Sequence, residues 1–257
     1  MLKALTRPFL GFVINPKSKT RLPRPKGLAV TRLAQGDFMK NFLYKEFKLC
    51  ISPVNYIFLL FTAMILIPNY PCYVSFFYLC LSCFFIFNNA EINKDIPYSM
   101  ILPIKKSDMV KSRCILICAY QIIGTLFTIP FAFIVHKAIK LENAAGIECN
   151  IAFYGLVLVA LTIFNFVFLT SFYKKAIKPG FPFAIACIIY WVIYLIFELP
   201  IWLKNIFPTD FFVRLDSIQP SDLLFQLPIL IAAIVIYFAG WILTFKVSSK
   251  RFEKVDL

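Results

Sequence analysis

One histidine in 257 residues, His136, removes most metal and acid–base chemistry from consideration. A lone imidazole completes neither an HExxH pair nor a proton relay, and its place near an apolar run reads as solvent-facing or interfacial. Charge is scarce as well, at 16% of residues, where a soluble globule carries about 25%. No GxxxxGK[ST] stretch occurs, so the chain carries no phosphate-binding loop of its own. A secretory signal is missing, because no apolar core with a small-residue cleavage site opens the chain. These gaps disfavour an intramembrane enzyme and point to a chain with no metal or cofactor of its own, while the low charge favours a membrane protein over a soluble globule.

What the chain has in abundance is apolar length. Hydrophobic residues make up 60%, in long blocks. A hydrocarbon core of about 30 Å needs about 20 such residues per helix. Six blocks qualify, at 49–68, 72–89, 114–135, 150–173, 181–203 and 227–245. The first is the weakest, interrupted by Ser52, Pro53 and Asn55. The predicted fold is an all-α, six-span membrane protein with short loops. Asn69-Tyr70-Pro71 is a tight turn that makes spans one and two antiparallel neighbours. Pro130 and Pro200 fall late in their spans, while Pro182 and Pro228 suit first turns. No internal repeat supports the inverted halves of secondary transporters.

Charge orients the spans. With the N-terminus inside, the inner segments 1–48, 90–113, 174–178 and 246–257 hold 11, 5, 3 and 4 Lys or Arg, which is 23 of 27. With seven acids inside and six outside, the inner face is 23 − 7 = +16 and the outer face 4 − 6 = −2. Such a bias places both termini in the cytoplasm. The net charge of +14 does not indicate a nucleic-acid binder, because it is spread over every inner segment. Anionic lipids of the inner leaflet account for it.

Residues 1–38 hold four Pro and eight Lys or Arg against one acid, Asp37. They read as a basic leader, disordered or an upstream extension, ahead of a domain spanning 39–257 that starts at Met39. Leu43, Phe47 and Cys50 then fall at helical spacing, which suits a helix lying on the inner leaflet.

Few polar groups lie at depth. Glu198 is the deepest ionisable residue, either snorkelling to the outer surface or lining an exit path. Asn88, Asn89 and Asn165 are further candidates for a substrate path. Cys80-x-x-Cys83 has redox spacing, but both cysteines, like Cys118 and Cys187, sit in apolar helices and read as packing. Cys72 and Cys149 lie nearest the outer face and could pair in principle, although nothing in the sequence requires it.

The island 90–113, AEINKDIPYSMILPIKKSDMVKSR, is the exception to this apolar background. Pro97 and Pro103 divide it. Ile96, Met100, Ile101 and Ile104 give it apolar teeth beside Lys105 and Lys106. Ser107 is placed to cap the next helix, with Asp108 in its first turn. Lys111 and Arg113 hold the base of span three at the headgroups. It is either an ordinary loop or a docking element for a soluble motor.

Two stretches carry a resemblance. Asn88-Asn89-Ala90-Glu91-Ile92-Asn93-Lys94-Asp95, followed by Leu102-Pro103-Ile104-Lys105-Lys106-Ser107-Asp108-Met109-Val110-Lys111-Ser112-Arg113, resembles the loop motif of ABC-2 type permeases of Gram-positive bacteria. Met109 replaces a branched residue of that motif. The resemblance extends from Met39 to the C-terminus. It implies a permease subunit that dimerises with a second copy or a paralogue in the bacterial plasma membrane. It also implies two separate ABC ATPase subunits, which bind the ATP and Mg. Ile101, Pro103, Ile104, Lys105, Lys106 and Asp108 would face the ATPase. The branch most alike includes exporters of phenol-soluble modulins and antimicrobial-resistance exporters, which implies an amphipathic peptide or lipid-like cargo. The rival classes are an ion-coupled secondary transporter and a membrane protein with no transport role.

Overall fold

Among the described residues, five helices are long and apolar enough to cross a membrane, and a sixth crossing exists if a bent helix pair is counted as one span. The computed structural model describes residues 43–101, 104–135, 146–176, 178–206 and 210–255. The predicted leader, His136 and Pro103 lie outside the described residues. In chain order the helices are α1 (Leu43–Cys50), α2 (Pro53–Phe61, continued by a 3₁₀ turn Thr62–Leu66), α3 (Cys72–Ile92), α4 (Asp95–Ile101), α5 (Lys106–Ile134), α6 (Ile151–Phe172), α7 (Gly180–Ile206), α8 (Asp210–Asp216) and α9 (Pro220–Glu253). Among the described residues there is no strand.

The tight turn does make α2 and α3 antiparallel neighbours. Phe58 stacks on Tyr78 and Asn55 Nδ2 donates to the Ser82 carbonyl at 3.0 Å. Asn69 takes φ 57° there, the left-handed conformation that Asn tolerates better than most residues. Two expectations about helix starts need correction. Pro220, not Pro228, occupies the first turn of the last helix, so Pro228 lies inside α9. Ser107 is not the cap of α5, because Lys105 holds that position and makes no side-chain cap bond.

α6 is the centre of the bundle and packs most extensively on α9 and α7. Phe153, Val157, Ala160, Phe164 and Phe168 on it are all fully buried. Lipid tails are as apolar as these side chains, so close fit and hydrogen bonds hold such helices together rather than hydrophobic transfer. Gly155 supplies the fit, since a Cβ there would come within 3.3 Å of the α9 backbone at Ile229. Gln121 and Asn165 supply the hydrogen bonds through a reciprocal amide pair of 2.9 and 2.7 Å, and Tyr237 donates to Gln121 Oε1 at 3.2 Å. That trio ties α5, α6 and α9 at depth. α7 and α9 bury only about a fifth of their apolar windows, against more than half for α3 and α6. Ile188, Val192 and Ile196 on α7, with Ile231, Val235 and Phe238 on α9, form the outward apolar faces.

Candidate coupling site

The bend between α1 and α2 is 81° and follows from Ser52-Pro53. Pro53 supplies no N–H to continue α1 but is well suited to open α2. The Ser52 amide donates to Asn55 Oδ1 at 2.9 Å, which closes the start of α2. Two asparagines of the following hairpin finish the end of α1. Asn89 Nδ2 donates to the Cys50 carbonyl at 3.2 Å and Asn93 Nδ2 to that of Leu49 at 3.3 Å. Asn89, expected on a substrate path, thus holds α1 in place.

α1 turns an unexpected face inward. Phe47 and Tyr44 are exposed, whereas Cys50 and the charged Glu46 are buried. Glu46 meets Arg113 of α5 at 2.7 Å, and Arg113 meets Asp95 of α4 at 2.8 Å. Lys45 reaches Asp95 at 2.6 Å and also bonds Ser99. Two cations and two carboxylates therefore form a neutral quartet joining α1, α4 and α5. Arg113 is 4% exposed and lies over the Phe87 ring, 5.3 Å from its centre. Buried ions cost several kcal/mol each in lost hydration, and only close mutual pairing offsets that cost. A small cavity beside them is bounded by Phe87, Ile96, Met109, Tyr173 and Phe252. Glu46, Cys50 and Asp95 do bring three donor atoms within 4.8 Å of one another. A divalent ion among them would sit against the Arg113 guanidinium, so the donors fit an ion pair and not a metal.

The predicted coupling residues separate into three groups. Ile104 packs against the chain's own core, as do Ile96 and Met100, so these teeth point inward. Lys106 donates to the Val255 carbonyl at 2.6 Å and lies over the Phe252 ring, which fastens the end of α9 to the loop. Lys105 is exposed, and Asp108 is half-buried in the first turn of α5. The short helix lies upstream of the predicted segment, at Asp95–Ile101, and the side chain of Ile101 lies outside the described residues. Lys94 turns the chain into it with φ 50°. Its outward residues are Pro97 and Tyr98, with Ile92 and Lys94 just before it.

The opposite end of the bundle is closed by the 146–150 segment and α8. Asn150 caps α6 by accepting from the Phe153 amide at 2.9 Å, and its Nδ2 donates to the Leu215 carbonyl at 2.8 Å. Gln226 of α9 accepts from the Ala152 amide at 3.1 Å and donates to the Arg214 and Ser217 carbonyls at 2.8 and 2.9 Å. Glu198 does not snorkel. It is 1% exposed, accepts from the Ile147 amide at 3.2 Å, and leaves Oε1 without a hydrogen bond. A Cβ on Gly146 would come within 2.6 Å of its carboxylate, so a larger residue there would have to displace the Glu198 side chain. Asn165 is buried and committed to Gln121, while Asn88 is half-buried on α3.

Arg113, expected from the sequence as a headgroup anchor, is instead buried, and its partner Glu46 stands outside every predicted site. A single acid, Glu46, flanked by Lys45 and Lys48, was the available signal.

No curated protein and no solved structure matches the chain. The family described as ABC-2 family transporter protein matches residues 41–248, 208 of the 257. The chain therefore belongs to the ABC-2 transporter family, a family of transport components that lack the ATPase site, and is a multi-pass permease subunit of an ABC transporter, which implies association with ABC ATPase partners.

Proposed function

We propose that this permease exports an amphipathic peptide, antimicrobial or lipid-like substrate from a bacterial cell, as a dimer driven by two ABC ATPase subunits. Both termini face the cytoplasm, in keeping with the +16 to −2 division of charge. The observation that carries the reading is α4, a short helix clamped by the buried quartet, presenting Pro97 and Tyr98 between the exposed Lys94 and Lys105. An aromatic residue flanked by cations on a rigid support suits a cleft with an acidic rim. The substrate class rests on the resemblance of the loop motif and on the broad apolar faces of α7 and α9, which give lateral access from lipid.

The test is co-purification of the tagged chain with a co-expressed ABC ATPase subunit. Tyr98→Ala combined with Lys105→Glu should weaken the complex at least tenfold, since an aromatic anchor contributes about 2 kcal/mol or more. Ile104→Asp should instead impair folding, because Ile104 packs on the core. A complex of undiminished strength in the double variant would sink the docking assignment. The buried Glu198 favours one rival, an ion-coupled transporter. Uptake into ATP-depleted vesicles on an ion gradient alone would establish that rival and remove the ATP-driven reading.

A further inference from the structure

Cys72 opens α3 and Cys149 stands one residue before the cap of α6, separated by 77 positions in sequence. The fold brings their sulfurs to 2.6 Å. Both side chains are buried, at 5% and 6% exposure. Of the eight cysteines, these two lie at the end closed by the 146–150 segment. Cys80, Cys83, Cys114, Cys118 and Cys187 sit within α3, α5 and α7, and Cys50 at the quartet.

We infer that Cys72 and Cys149 form a disulfide that staples the start of α3 to the segment covering Glu198. A covalent S–S bond is about 2.05 Å long, so closure asks for a sulfur displacement of about half an ångström. The oxidant is a second disulfide, carried by a small molecule or an oxidoreductase. Its S–S bond breaks as the Cys72–Cys149 bond forms, and its two sulfurs accept both electrons and both protons. The setting favours retention of the bond once made. The hydrogen bond with Cys72, and then burial, push the Cys149 thiol well above its usual range. A thiol of high pKa is a poor leaving group, so reduction is slow. The same raised pKa slows oxidation of the closed protein, which places bond formation during folding, before the segment seats.

The staple would act on the cap. The 146–150 segment already carries the amide contacts to Glu198 and Asp216, at 3.2 and 2.9 Å. Fixing Cys149 to α3 joins that segment covalently to a helix of the buried core. The bond is independent of the transport reading, whereas the outer location of its oxidant rests on the proposed orientation.

The experiment uses the purified full chain in detergent, partially unfolded in urea, reduced, desalted, and refolded with glutathione disulfide. Open thiols are then blocked with N-ethylmaleimide in denaturant. After a second reduction, newly exposed thiols are tagged with polyethylene-glycol maleimide. The expected result is two tags per wild-type chain and none in Cys72→Ser or Cys149→Ser. No tag in the wild type, or a tag persisting in either single variant, overturns the pairing. A wild-type chain that loses cap protection by hydrogen exchange only after reduction supports the role assigned to the staple. Unchanged protection of 146–150 on reduction overturns that role.

Discussion

Arg113→Met separates a structural clamp from an incidental ion pair. The guanidinium contacts Glu46 at 2.7 Å and Asp95 at 2.8 Å, and all three are almost fully buried. Methionine fills comparable apolar volume over Phe87 but leaves two carboxylates beside a single cation, Lys45. Stranding one member of a buried pair costs about 3–5 kcal/mol. At about 1.4 kcal/mol per tenfold, the undocked population of α1 and α4 rises by about two to three and a half orders of magnitude. Hydrogen exchange in nanodiscs reads this directly, as faster exchange confined to residues 43–50 and 95–101. The α6 amides, held by Phe153, Phe164 and Phe168, should stay protected. Adding Glu46→Gln alone to Arg113→Met leaves Lys45 paired with Asp95 and should restore much of the protection, because the cluster is then neutral again and strands no buried charge. If Arg113→Met leaves exchange at 43–50 and 95–101 unaltered, the quartet does not hold the coupling helix. A uniform loss of protection across all helices would refute the local nature of the clamp.

Two further outcomes are expected. Gln121→Leu should lower thermal stability in detergent by an amount matching about 0.6–2 kcal/mol, since it opens the amide pair to Asn165 and the bond from Tyr237; a fluorescence-monitored melt that does not move would show that the trio contributes nothing net. Single cysteines at Lys105 and Lys250, in a background without native cysteines, should react with impermeant maleimide only from the cytoplasmic side, and one at Ser217 only from outside, if the proposed orientation, drawn from the +16 to −2 asymmetry, holds. External labelling at Lys105 would reverse the topology and remove the coupling loop from the ATPase.

The spans were legible because lipid imposes a length and an apolarity that composition alone reveals. The weakness of the first span was legible too: Pro53 opens α2 only after α1 has ended, and α2 with its 3₁₀ turn covers just Pro53–Leu66. The loop was placed correctly as the polar element, yet its inward and outward faces were not. Ile96, Met100 and Ile104 look like contacts for a partner in one dimension, but they serve the chain's own core because α5 and α9 arrive beside them. Glu46 and Arg113 are 67 positions apart, and no periodicity within a helix can signal a pairing across three elements. α8 was read as outer loop because Asp210–Asp216 is seven residues long and carries three charges.

α9 runs unbroken for 34 residues, about 51 Å at 1.5 Å per residue, well beyond a hydrocarbon thickness of about 30 Å. It is fastened at both extremities. Gln226 holds the 146–152 segment and α8, while Arg251 donates to the Thr170 carbonyl at 2.6 Å and Phe252 lies beneath Lys106. The two attachments are about 38 Å apart along one rigid rod. A rod of this kind cannot shift at one extremity without working against its fastening at the other. Whatever factor ATPase engagement applies to opening of the far cap, a ligand that opens the cap must apply to ATPase affinity, since binding linkage is reciprocal.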